Sequence, residues 1–164
     1  MMPIRRSFIT TTLISIGFLG GCGGPTLSPE NSKTIPVALI TYEFGKNELK
    51  ASELFKDTPY NVVGVFYSAE ERNGGFKVVL LEGWSSSGLL YAHLPSSARD
   101  AITNIDKGTL VTLTCAGLEK YGTSPSFEHC DHLRKTDTGG LEADLFLDDL
   151  VAKNNELLGN QPNL

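Results

Sequence analysis

The chain has 164 residues, 40% hydrophobic and 20% charged, enough for one globular domain and not for two of ordinary size. Its 14 Lys+Arg stand against 19 Asp+Glu, and a net charge of -5 excludes a basic nucleic-acid groove as an average property. The first element is an export signal over residues 1–21. Arg5 and Arg6 form a charged start, and Phe8 to Leu19 is an apolar stretch too short for a comfortable membrane span. Leu19-Gly20-Gly21 then places small residues before Cys22. Cleavage there would remove both arginines and leave the mature chain more acidic. Residues 22–35 read as a flexible tether, because Gly23 to Thr34 is rich in Gly, Pro, Ser, Thr and Asn and has no apolar period.

A folded body is expected over residues 36–134. Val37, Ile40, Phe44, Ala51 and Phe55 recur at near-helical spacing, which predicts an N-terminal helix opened by Pro36 and broken near Gly45. Pro59 stops it. Tyr60 to Ser68 is a β-branched and aromatic run, hence a first strand, with Gly64 marking a bulge or sharp bend. Glu70 to Gly75 is a polar turn ending in Asn73-Gly74-Gly75, and Phe76 to Leu81 completes a hairpin. Ser85-Ser86-Ser87-Gly88 interrupts the chain before a third strand, Leu89 to Leu94. A short helix follows, capped by Ser97 with Asp100, its apolar face formed by Ala98, Ala101, Ile102 and Ile105.

The fourth strand, Thr109 to Cys115, alternates, with Val111, Leu113 and Cys115 on one face and Leu110, Thr112 and Thr114 on the other. A loop from Ala116 to Ser126 leads to the fifth, Phe127 to Leu133. Residues 135–164 form an acidic segment: after Thr136, Asp137, Glu142, Asp144, Asp148, Asp149 and Glu156 face only Lys153. Leu141, Leu145, Val151, Leu157 and Leu158 predict an amphipathic helix there, packed on the body or free to interact. Three strands, a helix and two strands are the order expected of an all-β, five-stranded Greek-key OB-fold barrel with minor helices.

Two resemblances add to this reading. Leu19-Gly20-Gly21-Cys22 resembles the bacterial lipobox, which implies diacylglycerol and palmitate on Cys22, the first residue of the mature chain. With Gly23 following, the resemblance implies a lipid-anchored domain at the cell membrane or the outer membrane. Asn47-Glu48-Leu49-Lys50-Ala51-Ser52-Glu53-Leu54-Phe55-Lys56, leading into the strand that holds Gly64, is similar to the tRNA_anti-like family of bacterial OB-fold proteins. Asp106-Lys107-Gly108 and Cys130 fit its later segments. Ser52 stands where that family usually has Asp, and Phe55 where it has Tyr. These motifs are structural, and the family name is no evidence of tRNA binding.

Once Cys22 is acylated, Cys115 and Cys130 remain, an even pair in an oxidising compartment and neighbours in a hairpin, so a disulfide is expected. The alternative is two buried free thiols. Strict alternation puts Cys130 on the face opposite Phe127 and Leu133, a conflict that a bulge in the last strand would remove. Glu128-His129-Cys130-Asp131-His132 suggests a metal site. Alternation, however, points Glu128, Cys130 and His132 one way and His129 and Asp131 the other, so no metal and no cofactor is assigned. No nucleophile elbow, carboxylate pair, phosphate loop or dinucleotide fingerprint is present, so no enzyme is expected.

A ligand on such a barrel would lie on the second and third strands and the adjoining loops, where Phe76, Lys77, Trp84, Tyr91, His93, Lys120 and Tyr121 are the candidates. The expectation is a non-enzymatic binding module anchored in the cell envelope, its partner an envelope protein or peptide. A single-stranded nucleic-acid or oligosaccharide binder and a periplasmic metal-handling protein are the alternatives.

Overall fold

The computed structural model describes residues 27–83 and 88–159. The expected signal, Cys22, the first part of the expected tether and Trp84 with its serine run lie outside the described residues. Among the described residues there are six strands and four α-helices. A 3-10 turn, Pro29–Asn31, leads into β1 (Lys33–Pro36), followed by α1 (Val37–Lys46), α2 (Glu48–Leu54), β2 (Tyr60–Arg72), β3 (Gly75–Leu81) and β4 (Leu89–Pro95). A second 3-10 turn, Ser96–Ala98, then runs into α3 (Arg99–Thr103), and β5 (Leu110–Tyr121), β6 (Ser124–Lys135) and α4 (Ala143–Gly159) complete the chain.

The sheet runs β1-β2-β3-β4-β6-β5, and β5 also pairs with β2. Five strands therefore close on themselves in the order β2-β3-β4-β6-β5, with the helix-bearing crossover between β4 and β5. This is the Greek-key barrel expected from the order of elements. The long β2 makes closure possible, because Tyr60 to Val65 pair with β5 while Val65 to Arg72 pair with β3. Its register shifts between Phe66 and Ser68, so the bulge falls at Tyr67 rather than at Gly64. Gly64 serves close packing instead: a Cβ there would stand 2.6 Å from Val37 Cγ2 and 3.1 Å from the Leu81 carbonyl oxygen.

β3 and β4 alternate strictly. Phe76, Val78, Leu80, Leu90, Ala92 and Leu94 point into a core that also holds Val62, Val111, Leu113 and Phe127. α1 and α2 close one end of the barrel with Val37, Ile40, Phe44, Ala51 and Phe55. The break between these helices is at Asn47, not Gly45, which lies inside α1. The Asn47 side chain accepts from the Lys50 N–H at 3.1 Å and so caps α2. Pro36 is the N-cap of α1 rather than a residue of its first turn. Ser97 does not cap either; it lies within the 3-10 turn, and α3 starts without a side-chain cap.

Both faces are covered along the first half of β2 and the stretch of β5 paired with it. Val63, Val65 and Leu110 point outward, where Leu147 of α4 buries against them with Phe146 and Leu150 alongside. The helix thus meets the body through Leu147, whereas Leu141 and Leu145, expected on its apolar face, are exposed. The second half of the expected tether is also part of the body. β1 runs parallel to β2 from Lys33↔Tyr60 to Pro36↔Val63. The buried Asn61 donates to the carbonyl oxygens of Pro29 (2.8 Å) and Ser32 (3.1 Å) and accepts from Thr114 Oγ1 (2.9 Å). Asn154 of α4 donates to the Thr34 carbonyl oxygen at 3.2 Å, fastening helix to strand.

Cys115 and Cys130 are directly paired across β5 and β6 and are joined by a disulfide. Two irregularities resolve the conflict over their faces. Gly117 takes a φ of 76° between Cys115 and Leu118, so both point inward although three residues apart. Opposite Thr112 to Thr114 the register shifts, with His132 at φ 56°, and this bulge turns Leu133 inward beside Cys130. The loop expected over Ala116 to Ser126 is instead a continuation of the two strands, closed by a short turn after Tyr121.

Candidate binding face

The outward residues of β3 and β4 lie between the β2–β3 turn and the β5–β6 turn. Strand alternation puts Lys77 there, with Tyr91 and His93, while Phe76 turns inward. Phe76 is therefore not a face residue; its ring packs inside, with the Arg99 guanidinium 5.1 Å from its centroid. Tyr121, at the end of β5, leans across to Tyr91 with centroids 5.1 Å apart and ring planes at 67°. Lys77 Nζ stands 5.2 Å from the Tyr91 centroid and 4.9 Å from that of Tyr121. A cation over two aromatic faces is worth about 0.5–2 kcal/mol per contact, so the three side chains order one another.

Around this cluster the register brings residues that alternation along a single strand does not reveal. Glu70, opposite Lys77 on β2, comes within 3.5 Å of its ammonium. Arg72 donates to Glu70 at 2.9 Å and, by that hydrogen bond and its charge, holds the Glu70 carboxyl below its ordinary range; Lys77 adds to the effect. Ser126 pairs with Tyr91 in the parallel β4–β6 ladder and with Glu119 on β5, and so belongs to the same outer face. It is nonetheless fully buried, and among the described residues its Oγ has no hydrogen-bond partner. Two residues further along β6, Glu128 Oε1 stands 3.9 Å from His93 Nε2.

The structure therefore brings Lys77, Tyr91, His93 and Tyr121 to one face and separates the other candidates from it. Lys120, next to Tyr121 but pointing the other way, is held by Glu48 of α2 at 2.6 Å. Trp84 lies outside the described residues. Glu70, Ser126 and Glu128 are additions, and their signal is cross-strand pairing. The metal reading of 128–132 also changes in detail: Cys130 points inward to its disulfide, whereas Glu128, His129 and His132 are exposed. Among the described residues no three His, Cys, Asp or Glu side chains converge as an ion would require. These histidines instead line an open cleft of about 860 Å³ together with His93, the Arg72–Gly75 turn and Leu27.

Comparison with known proteins bears on the fold. A Klebsiella pneumoniae protein of known structure, which bears the provisional name of a nucleic acid-binding lipoprotein, superposes with a TM-score of 0.54 at 19% identity, over 65% of this chain and 94% of that one. The barrel is an OB-fold. A second solved structure, from Leishmania major, provisionally named an aspartyl-tRNA synthetase, gives a TM-score of 0.44 at 12% identity over 68% of this chain and 22% of its own. No family model matches the chain, and no curated protein matches it.

Proposed function

We propose that this chain is a lipid-anchored, non-enzymatic OB-fold module of the bacterial cell envelope, which binds a segment of an envelope protein or peptide on its β3–β4 face. The Tyr91–Tyr121–Lys77 cluster carries the reading. Two rings ordered by one ammonium, with 45% of Tyr121 exposed, suit a partner that offers flat apolar groups. Anchoring rests on Arg5, Arg6, the apolar run and Leu19-Gly20-Gly21-Cys22, and the name of the Klebsiella protein, a lipoprotein, agrees with it. Among the described residues no helix is long and apolar enough to cross a membrane. The Asn47 to Lys56 segment further supports placing the chain with the tRNA_anti-like OB proteins.

Single-stranded nucleic acid is the second reading, favoured by the exposed Tyr121 ring and by the name of the same neighbour. The charge of the face opposes it. Lys77 is matched by Glu70, while Glu119 and Glu128 stand on the same outer side, so a polyanion gains little. A photo-cross-linking residue at position 121 of the lipidated protein, in its own membranes, tests the proposal. A discrete protein adduct, lost in Tyr91→Ala, supports it. Oligonucleotide binding that weakens steeply with salt and vanishes in Tyr121→Ala overturns it in favour of the second reading.

A further inference from the structure

The tether is much shorter in the folded protein than in the sequence. His132 Nε2 lies 3.3 Å from the Leu27 carbonyl oxygen, Ser32 Oγ donates to the Ser28 carbonyl oxygen at 2.7 Å, and Asn61 clamps Pro29 and Ser32. Only Gly23 to Thr26 separate Leu27 from Cys22. Whatever path they take, a chain spans at most about 3.6 Å per residue, so Leu27 stands no more than about 18 Å from the lipidated cysteine. Leu27 lines the 860 Å³ cleft, and all 3 histidines of the chain, His93, His129 and His132, line it too. On the lipoprotein reading, on which this inference rests, the anchor therefore holds this end of the barrel at the bilayer surface.

The charges in the cleft narrow what it meets there. Arg72 and the imidazoles of His93 and His129 supply N–H donors, His132 Nε2 being held by the Leu27 carbonyl oxygen, and Arg72 donates to Glu70 through Nη2. Glu128 and Asp131 supply carboxylate acceptors beside them. Donors and acceptors of both signs within one cleft match a head group that carries both a phosphate and a primary ammonium. A purely anionic surface fits worse, because the cleft holds two carboxylates and the chain, already acidic, is more so once Arg5 and Arg6 are removed. We propose that this cleft is the membrane-facing surface of the protein and takes the head group of a zwitterionic aminophospholipid of the anchoring bilayer. The phosphate accepts from Arg72, His93 and His129, and the ammonium donates to Glu128 and Asp131. His93 and Glu128 then belong to the head group, and the part of the face around Lys77, Tyr91 and Tyr121, which does not line the cleft, is left to the partner.

Because every histidine of the chain lies in this cleft, acylation of histidine by diethyl pyrocarbonate, read by peptide mass spectrometry, reports on the cleft alone. The test uses the full lipidated protein in phosphatidylcholine vesicles, in the same vesicles with half phosphatidylethanolamine, and in vesicles with half phosphatidylglycerol. A cleft two-thirds occupied reacts about threefold more slowly. That slowing is expected with phosphatidylethanolamine only, since the methylated ammonium of phosphatidylcholine cannot donate to a carboxylate. Glu128→Gln with Asp131→Asn should abolish the difference while the unfolding midpoint stays within a few degrees. Equal rates in all three vesicles, or slowing greatest with phosphatidylglycerol, overturn the proposal. A chain whose Cys22 proves unacylated overturns the anchoring reading and this inference with it, and its mass shows that before any vesicle is made.

Discussion

The Cys115–Cys130 bond offers the most quantitative test of the fold. It closes a loop of 15 residues, and the chain-entropy relation gives such a loop about 3 kcal/mol of stabilisation through the unfolded state. For a body of this size about 4 °C of Tm accompanies each kcal/mol, so breaking the bond should lower Tm by roughly 12 °C. Both cysteines are buried, Cys115 completely, and a serine in either place would add the cost of an unpaired hydroxyl. Reduction is therefore the cleaner perturbation. The protein would be unfolded in urea with and without reductant, with thiol titration confirming that the bond has opened, and the Cys115→Ala/Cys130→Ala double variant run alongside. The expected result is a midpoint shift worth about 3 kcal/mol in the native protein and none on adding reductant to the double variant. Full reduction with an unchanged midpoint would refute the reasoning, since it would mean that the strands around Gly117 already restrict the unfolded chain as much as the bond does.

Four further outcomes follow from packing and ionisation. Gly64→Ala should cost roughly 1–3 kcal/mol by forcing a methyl group against Val37, and a double-mutant cycle with Val37→Ala should recover part of that loss. Asn61→Ala removes three side-chain hydrogen bonds at once, and a loss of about 2–4 kcal/mol with early amide exchange over residues 29–35 is expected by hydrogen-exchange mass spectrometry. Leu147→Ala should lower stability by about 2–3 kcal/mol in chemical denaturation while Leu145→Ala stays within about 0.5, because only the former is buried. Burial raises the Tyr60 hydroxyl above its ordinary range, against a smaller lowering by Thr58. The neutral form is thus favoured by folding, its contribution is complete below the unfolded value of 10.0 and is lost as pH rises toward the folded value, and a tyrosinate titration at 295 nm should show one late tyrosine that Tyr60→Phe removes.

The parts of the barrel legible in the sequence were those governed by a local period. Phe76 to Leu81 and Leu89 to Leu94 read as strands and are strands, but their faces needed the structure: Phe76 and Lys77 were both candidates for the exposed face, and Phe76 points into the core. Features that depend on distant partners were not legible. Lys33 to Pro36 has no alternation and becomes a strand only because β2 presents a free edge and Asn61 binds the turn before it. Gly117 reads as a loop residue, yet β5 continues through it, because Gly117 and Leu118 donate their N–H groups to the carbonyl oxygens of Lys56 and Phe55. The acidic helix binds through Leu147 for a similar reason: the outward valines of β2 select which side of it is buried.

The binding face illustrates the same limit. Lys77, Tyr91, His93 and Tyr121 could be chosen from the sequence, because a barrel with this strand order has an exposed face at its second and third strands. Their partners could not, since Glu70, Ser126 and Glu128 reach the face through pairings between strands distant in sequence. A single register step would exchange Phe76 for Lys77 and remove the cation from between the rings. The face is thus a property of the closed barrel. The clamp on the N-terminal segment is another such property, because only the folded body turns twelve linker residues into the four that separate Cys22 from Leu27. If Cys22 carries the lipid, closure of the barrel also sets how near the membrane the cleft beside Leu27 is held.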